Sequence, residues 1–386
     1  MRSRRSEVKS STTSAQPENP YVKLIIQPDD GVAPVLSAIK NAKKSIEIAI
    51  FRFDRKDVEA ALKTAAANKR VTVTALIAFA NRGGEVRLRN LEQRFLDAGI
   101  IVARTADDLA RYHDKYILID RRTLYVLSFN FTHLDIDHSR AFGIVTTHKV
   151  WIGEAVRLFR ADSGRSTYSA KSDTFVVSPA NSRSVLETFI KRAQRQLLIY
   201  DPRISDKNML KLLQERAKAG VEIQVIGSVA GKVPFDVRRL RGNRLHTRTI
   251  IRDRRQAFVG SQSLRPLELD ARRELGLIVQ EAKVVRTLID TFEGDWSNDA
   301  PTELPKKVRK ALPSKKVRKE EKSDRAVQVL TQELDPLAST VKQAVRRAVA
   351  KAGEDVLHDK GVKETMKAVV KRAVKEAVKE AHKGKA

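Results

Sequence analysis

The sequence predicts an α/β fold made of two repeated units, followed by a basic helical tail. Short β-branched and aliphatic runs alternate with segments of helical spacing, the pattern of helices layered on a mainly parallel sheet. That order restarts near Thr174. Polar residues also recur at one constant distance. His246 follows His113, Asp253 follows Asp120, Ser261 follows Ser128 and Ser263 follows Asn130, each by 133 residues. The segment 273–279 falls on 140–146 at the same distance, and so long an ungapped register marks an internal duplication.

In order, residues 22–26 read as a strand, 35–42 as a helix and 45–50 as an alternating strand. An alanine-rich helix at 56–68 precedes the β-branched strand 71–77. Gly83-Gly84 marks a loop, and the helix 86–98 is closed by Gly99 before a strand at 100–103. The run from Tyr112 to Asn130 follows, then a strand at 142–146 and a helix through Phe159. Residues 166–172 are small and mostly polar, as a linker would be. Beyond them come a strand at 174–177, a helix at 184–195, a strand at 197–200, a helix at 208–219 and a strand at 221–226.

These breaks divide the chain into a tail at 1–20, repeat units at 21–164 and 173–298, a basic linker at 299–325 and a helical tail at 326–386. In the last, valines recur every fourth residue between lysines, an amphipathic pattern with little weight for membrane insertion because it holds no Trp or Phe. The formal net charge is +28, which favours polyanionic partners: nucleic acid, or an anionic membrane surface. The chain has no cysteine, which excludes disulfides, thiolate metal sites and cysteine nucleophiles. No apolar run is long enough to span a bilayer and no secretory leader is evident, so a cytoplasmic location, with peripheral membrane contact open, is expected.

Chemistry concentrates in one stretch and its copy. His113 and Lys115 stand two apart at the start of an apolar run, and Ser128 and Asn130 two apart at the end of the next. Residues two apart in a strand share a face, so a nucleophile, a cation and neutral donors converge as a phosphate group requires. The second copy reads His246, Arg248, Asp253, Gly260, Ser261 and Ser263.

The doubled pattern His-x-Lys-x4-Asp-x6-Gly-Ser-x-Asn resembles the phospholipase D superfamily, over roughly residues 19–298. Leu127 replaces the first glycine, Arg248 the second lysine and Ser263 the second asparagine. The resemblance implies two α/β/α domains about a pseudo-twofold axis, one active site where they meet, and phosphodiester chemistry without metal or other cofactor. It implies a phosphodiesterase acting on phospholipid, by hydrolysis or phosphatidyl transfer through a phosphohistidine. Against this stand a nuclease, since Ser128-Phe129-Asn130-Phe131-Thr132 resembles the ending in superfamily nucleases, and a non-catalytic phosphate-binding protein.

Two histidines on opposite sides of one phosphate can supply nucleophile and proton, because environment readily splits two imidazoles into neutral and charged forms. On this reading His113 is the nucleophile and His246 the general acid and base. Lys115 and Arg248 neutralise the phosphoryl oxygens, with Asn130, Ser128, Ser261 and Ser263 as neutral donors. Glu274, 28 residues beyond His246, is expected to orient and charge that histidine, while Ala141 leaves His113 without such a partner unless Asp135 or Asp137 substitutes. Asp120 and Asp253 read as structural acids in turns, and Leu127 as added bulk beside the phosphate.

Overall fold

The computed structural model describes residues 21–79 and 85–298. The segments read as tails and basic linker, at 1–20, 299–325 and 326–386, lie outside them. The first copy runs β1 (Val22–Gln27), α1 (Ala33–Asn41), β2 (Ser45–Ile50), α2 (Lys56–Ala67), β3 (Thr72–Ile77), α3 (Glu85–Leu96), β4 (Ile101–Arg104), β5 (Arg111–Tyr112), β6 (Tyr116–Ile119), β7 (Thr123–Leu127), α4 (His133–His138), β8 (Ser139–Thr146) and α5 (Lys149–Ser163). The second runs β9 (Phe175–Ser178), α6 (Ser182–Lys191), β10 (Gln196–Ile204), α7 (Lys207–Lys218), β11 (Glu222–Val229), β12 (Asp236–Arg238), β13 (Arg244–Leu245), β14 (Arg248–Arg252), β15 (Gln256–Gly260), α8 (Pro266–Asp270), β16 (Arg272–Val279) and α9 (Ala282–Ser297). Element for element it repeats the first, except that α3 has no counterpart.

Each copy forms one sheet, ordered β1-β8-β7-β6-β2-β3-β4 and β9-β16-β15-β14-β10-β11-β12. The expectation of a mainly parallel sheet is corrected here. Only β2, β3 and β4, and likewise β10, β11 and β12, run parallel; the other pairings within each copy are antiparallel. The cause is a tight turn between the motif strands. Asp120 and Arg121 both have positive φ (55° and 50°), as do Asp253 and Arg254 (53° and 58°), and each pair folds its chain back as a hairpin.

The copies exchange strands. β5 pairs with β16 of the second copy, and β13 pairs with β8 of the first. The exchange is reciprocal at the 133-residue register, as twofold-related halves demand. Between the sheets lies one shared core, including Phe142 and Tyr200 with ring centres 5.6 Å apart, and Phe292 5.0 Å from Tyr200. Separate apolar layers cover the outer faces, under α1, α2 and α3 in one copy and under α6 and α7 in the other. The expected linker is packed: Tyr168 is buried in the shared core and its hydroxyl donates to Glu154.

Candidate active site

The exchanged strands hang each histidine on the opposite copy. His113 N–H donates to Arg273 O at 2.8 Å, and His246 N–H to Arg140 O at 3.0 Å. Both arginines are anchored behind the site. Arg273 grips Asp162 at 2.9 Å and Ser178 O at 3.1 Å, and Arg140 grips Asp295 at 2.8 Å and Gln27 O at 3.1 Å. Each arginine thus ties the strand that carries it to a helix of the other copy. His113 and His246 are nearly enclosed, at 7% and 6% exposed.

Glu274 stands against His113. Its Oε2 lies 2.8 Å from His113 Nδ1, and this corrects the expectation that it serves His246. The strand exchange is the reason: β16 passes the histidine of the other copy. Lys115 Nζ is 3.0 Å from the same Nδ1, and it also donates to His113 O. One ring nitrogen cannot serve both groups. With its proton on Nδ1, the ring donates to Glu274, Lys115 turns to the carbonyl, and Nε2 keeps a free lone pair. Phe51 packs edge-on at 4.6 Å and fixes the ring plane. Burial, then Lys115, Arg272, Arg248 and Arg111, hold the His113 pKa well below the ordinary value, so the ring stays neutral. Burial, with Glu268 adding, pushes Glu274 up to about 7, against the pull of Lys115 and Arg272. Lys115, fully enclosed, is brought down to about 7 by burial, while Glu274 opposes the shift and Arg248 adds to it.

Asp135 is the carboxylate of His246. Its Oδ2 lies 3.6 Å from His246 Nε2, an ion-pair rather than a hydrogen-bond distance. Asp135 is held by Asn130 N–H at 2.8 Å, Asn130 Nδ2 at 2.6 Å and Arg244 at 2.7 Å. Burial raises its pKa, but His246, Arg244 and the Asn130 hydrogen bonds outweigh that and keep it ionised. Burial also lowers the His246 pKa, and Asp135 is the strongest influence working the other way. Burial thus holds both rings toward the neutral form, and the facing Asp135 is what sets His246 apart. His246 Nδ1, Asn130 Oδ1 and Glu274 Oε1 are buried without a hydrogen-bond partner among the described residues.

The remaining motif residues divide by role. Arg248 mirrors Lys115: it donates to His246 O at 2.7 Å and to Ser263 Oγ at 3.2 Å. Ser263 N–H donates to Glu268 at 2.8 Å, as Asn130 N–H does to Asp135. Ser128 Oγ accepts from Phe142 N–H at 2.9 Å, and Ser261 Oγ from Leu275 N–H at 3.2 Å, so each hydroxyl is engaged with the next strand. Asp120 accepts from the N–H groups of Lys43, Lys44 and Ser45, and Asp253 from those of Gln194, Arg195 and Gln196. Both pin the hairpin to the start of a central strand. Leu127 is another correction. It is fully buried and faces Gly143, so its bulk fills the core of the first copy and not the phosphate site. Arg244, Arg272 and Glu268 were not singled out in the sequence, although Glu268 lies 133 residues after Asp135 and shares its place. Among the described residues no three His, Asp or Glu side chains converge as a metal site, and no helix is long and apolar enough to cross a membrane.

Residues 35–163 match the family model described as cardiolipin synthase, PLD-like domain. The first copy thus carries a phospholipase D-like domain. That match holds His113, Lys115, Asp120, Ser128, Asn130 and Asp135. The fold is similar to that of polyphosphate kinase from Porphyromonas gingivalis, with 20% identity, TM-score 0.63, and 72% of this chain and 47% of that one covered. The chain thus spans about half of that kinase. It is also similar to phosphatidylserine synthase from Haemophilus influenzae, with 14% identity, TM-score 0.58, and 79% and 94% of the two chains covered. At these identities the likeness is one of fold. No curated protein matches the chain. Members of the phospholipase D superfamily are phosphodiesterases and phosphotransferases.

Proposed function

We propose that the protein cleaves or transfers phosphatidyl groups through a phosphohistidine, using its own side chains for both nucleophile and proton. The observation that carries this reading is the unequal pair: a neutral His113 held by Glu274, and a His246 facing Asp135. In the first step His113 Nε2 attacks phosphorus, the bond to the leaving oxygen breaks, and His246 gives that oxygen its proton. In the second, water or an alcohol loses its proton to His246 and attacks phosphorus. The bond to His113 then breaks, and both rings return to their starting forms. Lys115 and Arg248 face the charge that accumulates on the phosphoryl oxygens. Phospholipid is the preferred substrate because the family description names a cardiolipin synthase. Nucleic acid is the second reading, favoured by the formal net charge of +28.

The test is a substrate panel in EDTA. Vesicles of phosphatidylcholine or phosphatidylglycerol with a primary alcohol should yield phosphatidic acid and the phosphatidylalcohol. Cleavage of DNA with no lipid product would move the assignment to a nuclease. Turnover of neither substrate, nor of a chromogenic phosphodiester, would contradict both.

A further inference from the structure

At the end of β14 remote from His246 the second copy carries a groove of about 970 Å³. Six arginines line it: Arg192, Arg195, Arg252, Arg254, Arg255 and Arg286. Among the described residues, the side chains of Arg192, Arg195, Arg255 and Arg286 have no hydrogen-bond or ion-pair partner. Arg254 is paired with Glu293 at 2.6 Å, and Arg252 is half-buried against Phe189. Asp253 and Asp290 share the lining, so six positive charges face two negative ones across it.

The first copy is the internal control. At the same places it has Asn41, Lys44, Ile119, Arg121, Arg122 and Gly153. Three of the six arginines therefore belong to the second copy alone. In the first copy Arg121 is also neutralised by Glu47 at 2.5 Å, and the residue matching Glu47 is Leu198. The duplication shows that the fold does not need the charges at 192, 252 and 286, which the second copy alone carries.

We infer that this groove binds the phosphodiester backbone of nucleic acid, as a surface separate from the catalytic histidines. Arginine forks suit phosphate oxygens, and the groove is concave where a membrane surface is flat. None of the exposed large apolar side chains, such as Phe79, Val86 or Val237, lines it, so nothing there enters a bilayer. A smaller hollow of about 260 Å³ shares Arg192 and Arg252 and adds Ser184, Thr188, Val185 and Ile278. Charged and neutral walls side by side fit a chain whose phosphates alternate with sugars and bases. At about 3.3 Å per residue along β14 the groove lies roughly 20 Å from His246. It would hold a nucleic acid whatever ester the histidines cleave.

The test uses the full chain carrying His113→Ala, so that nothing is cleaved, and fluorescence anisotropy with labelled single- and double-stranded DNA between 50 and 200 mM salt. The triple variant Arg192→Glu/Arg195→Glu/Arg286→Glu should bind more than about 10-fold more weakly, with the salt slope reduced by about 3. The same charge change in the first copy, Lys40→Glu/Lys44→Glu/Arg122→Glu, should cost less than about 3-fold. All six side chains are exposed, and glutamine versions with unchanged melting temperature guard against misfolding. Equal losses in the two triples would mean binding by net charge alone and overturn the proposal. So would undiminished DNA binding by the groove variant, or a groove variant that keeps DNA but loses phosphatidylglycerol vesicles.

Discussion

Replacing Glu274 by glutamine removes one charge from behind His113 and changes little else in size. The carboxylate accepts the Nδ1 proton at 2.8 Å in a buried setting, and a charge-assisted hydrogen bond of that kind contributes about 1.5–3 kcal/mol. At about 1.4 kcal/mol per decade, kcat/KM should fall about 10- to 150-fold. The loss should appear in kcat with KM nearly unchanged, because the imidazole gains positive charge only as it attacks phosphorus. The pH dependence gives the sharper reading. Glu274 is pushed up to about 7, so it is largely neutral below that value and charged above it. The gap between wild type and variant should therefore be small at pH 6 and full at pH 8. Hydrolysis of bis(4-nitrophenyl) phosphate in EDTA across that range measures it. A loss under 3-fold at pH 8, or the same ratio at both pH values, would refute the role given to Glu274.

Asp135→Asn removes the charge facing His246 while keeping its shape. Turnover of an ester with an alkyl leaving group should drop about 10- to 100-fold, and that of a nitrophenyl ester far less, since only the former needs a proton. Comparing the two leaving groups in one variant is the check. In Gly276→Ala the added Cβ would sit 2.7 Å from Phe258 Cζ and 3.0 Å from Gly260 Cα, between two rigid strands. It should cost about 1–3 kcal/mol by urea unfolding, and more than Gly143→Ala, whose nearest neighbour is the flexible end of Leu127. Asp114, buried beside Asp162, is raised to about 8 by burial first and then by that neighbour. The folded chain keeps its proton while the unfolded chain loses it near the ordinary value of 3.8. The folded state therefore loses up to about 1.4 kcal/mol of stability per pH unit between about 4 and 8. Asp114→Asn should flatten that decline, raising the melting temperature more at pH 8 than at pH 5.

The repeat and its motifs were legible because a constant register survives whatever the loops do. From them followed the α/β class, the two copies and the pair His113 and His246. The partners of the histidines were not legible, because spacing within one copy cannot reveal an exchange between copies. β5 and β13 are two residues each, too short to show a period, yet they decide that Glu274 meets His113 and Asp135 meets His246. The antiparallel half of each sheet was missed because Asp120-Arg121 is a hairpin turn without the usual glycine. Leu127 was misread because the glycine that makes room for it, Gly143, stands on the next strand. The arginine groove draws on residues of β14, β15 and α9 and on the loops beside them, and only the comparison of the two copies in space sets it apart from a generally basic chain.

The division of labour between the two histidines is tested most directly by trapping the covalent adduct. His246→Ala is mixed with a nitrophenyl phosphodiester, quenched and digested, and the phosphorylated residue is mapped by mass spectrometry. A good leaving group should let the first step run without its acid, and the missing base should stall the second. The expected result is a phosphoryl ester on His113, absent from His113→Ala. An adduct on His246 in the His113→Ala protein, or on any other residue, would contradict it.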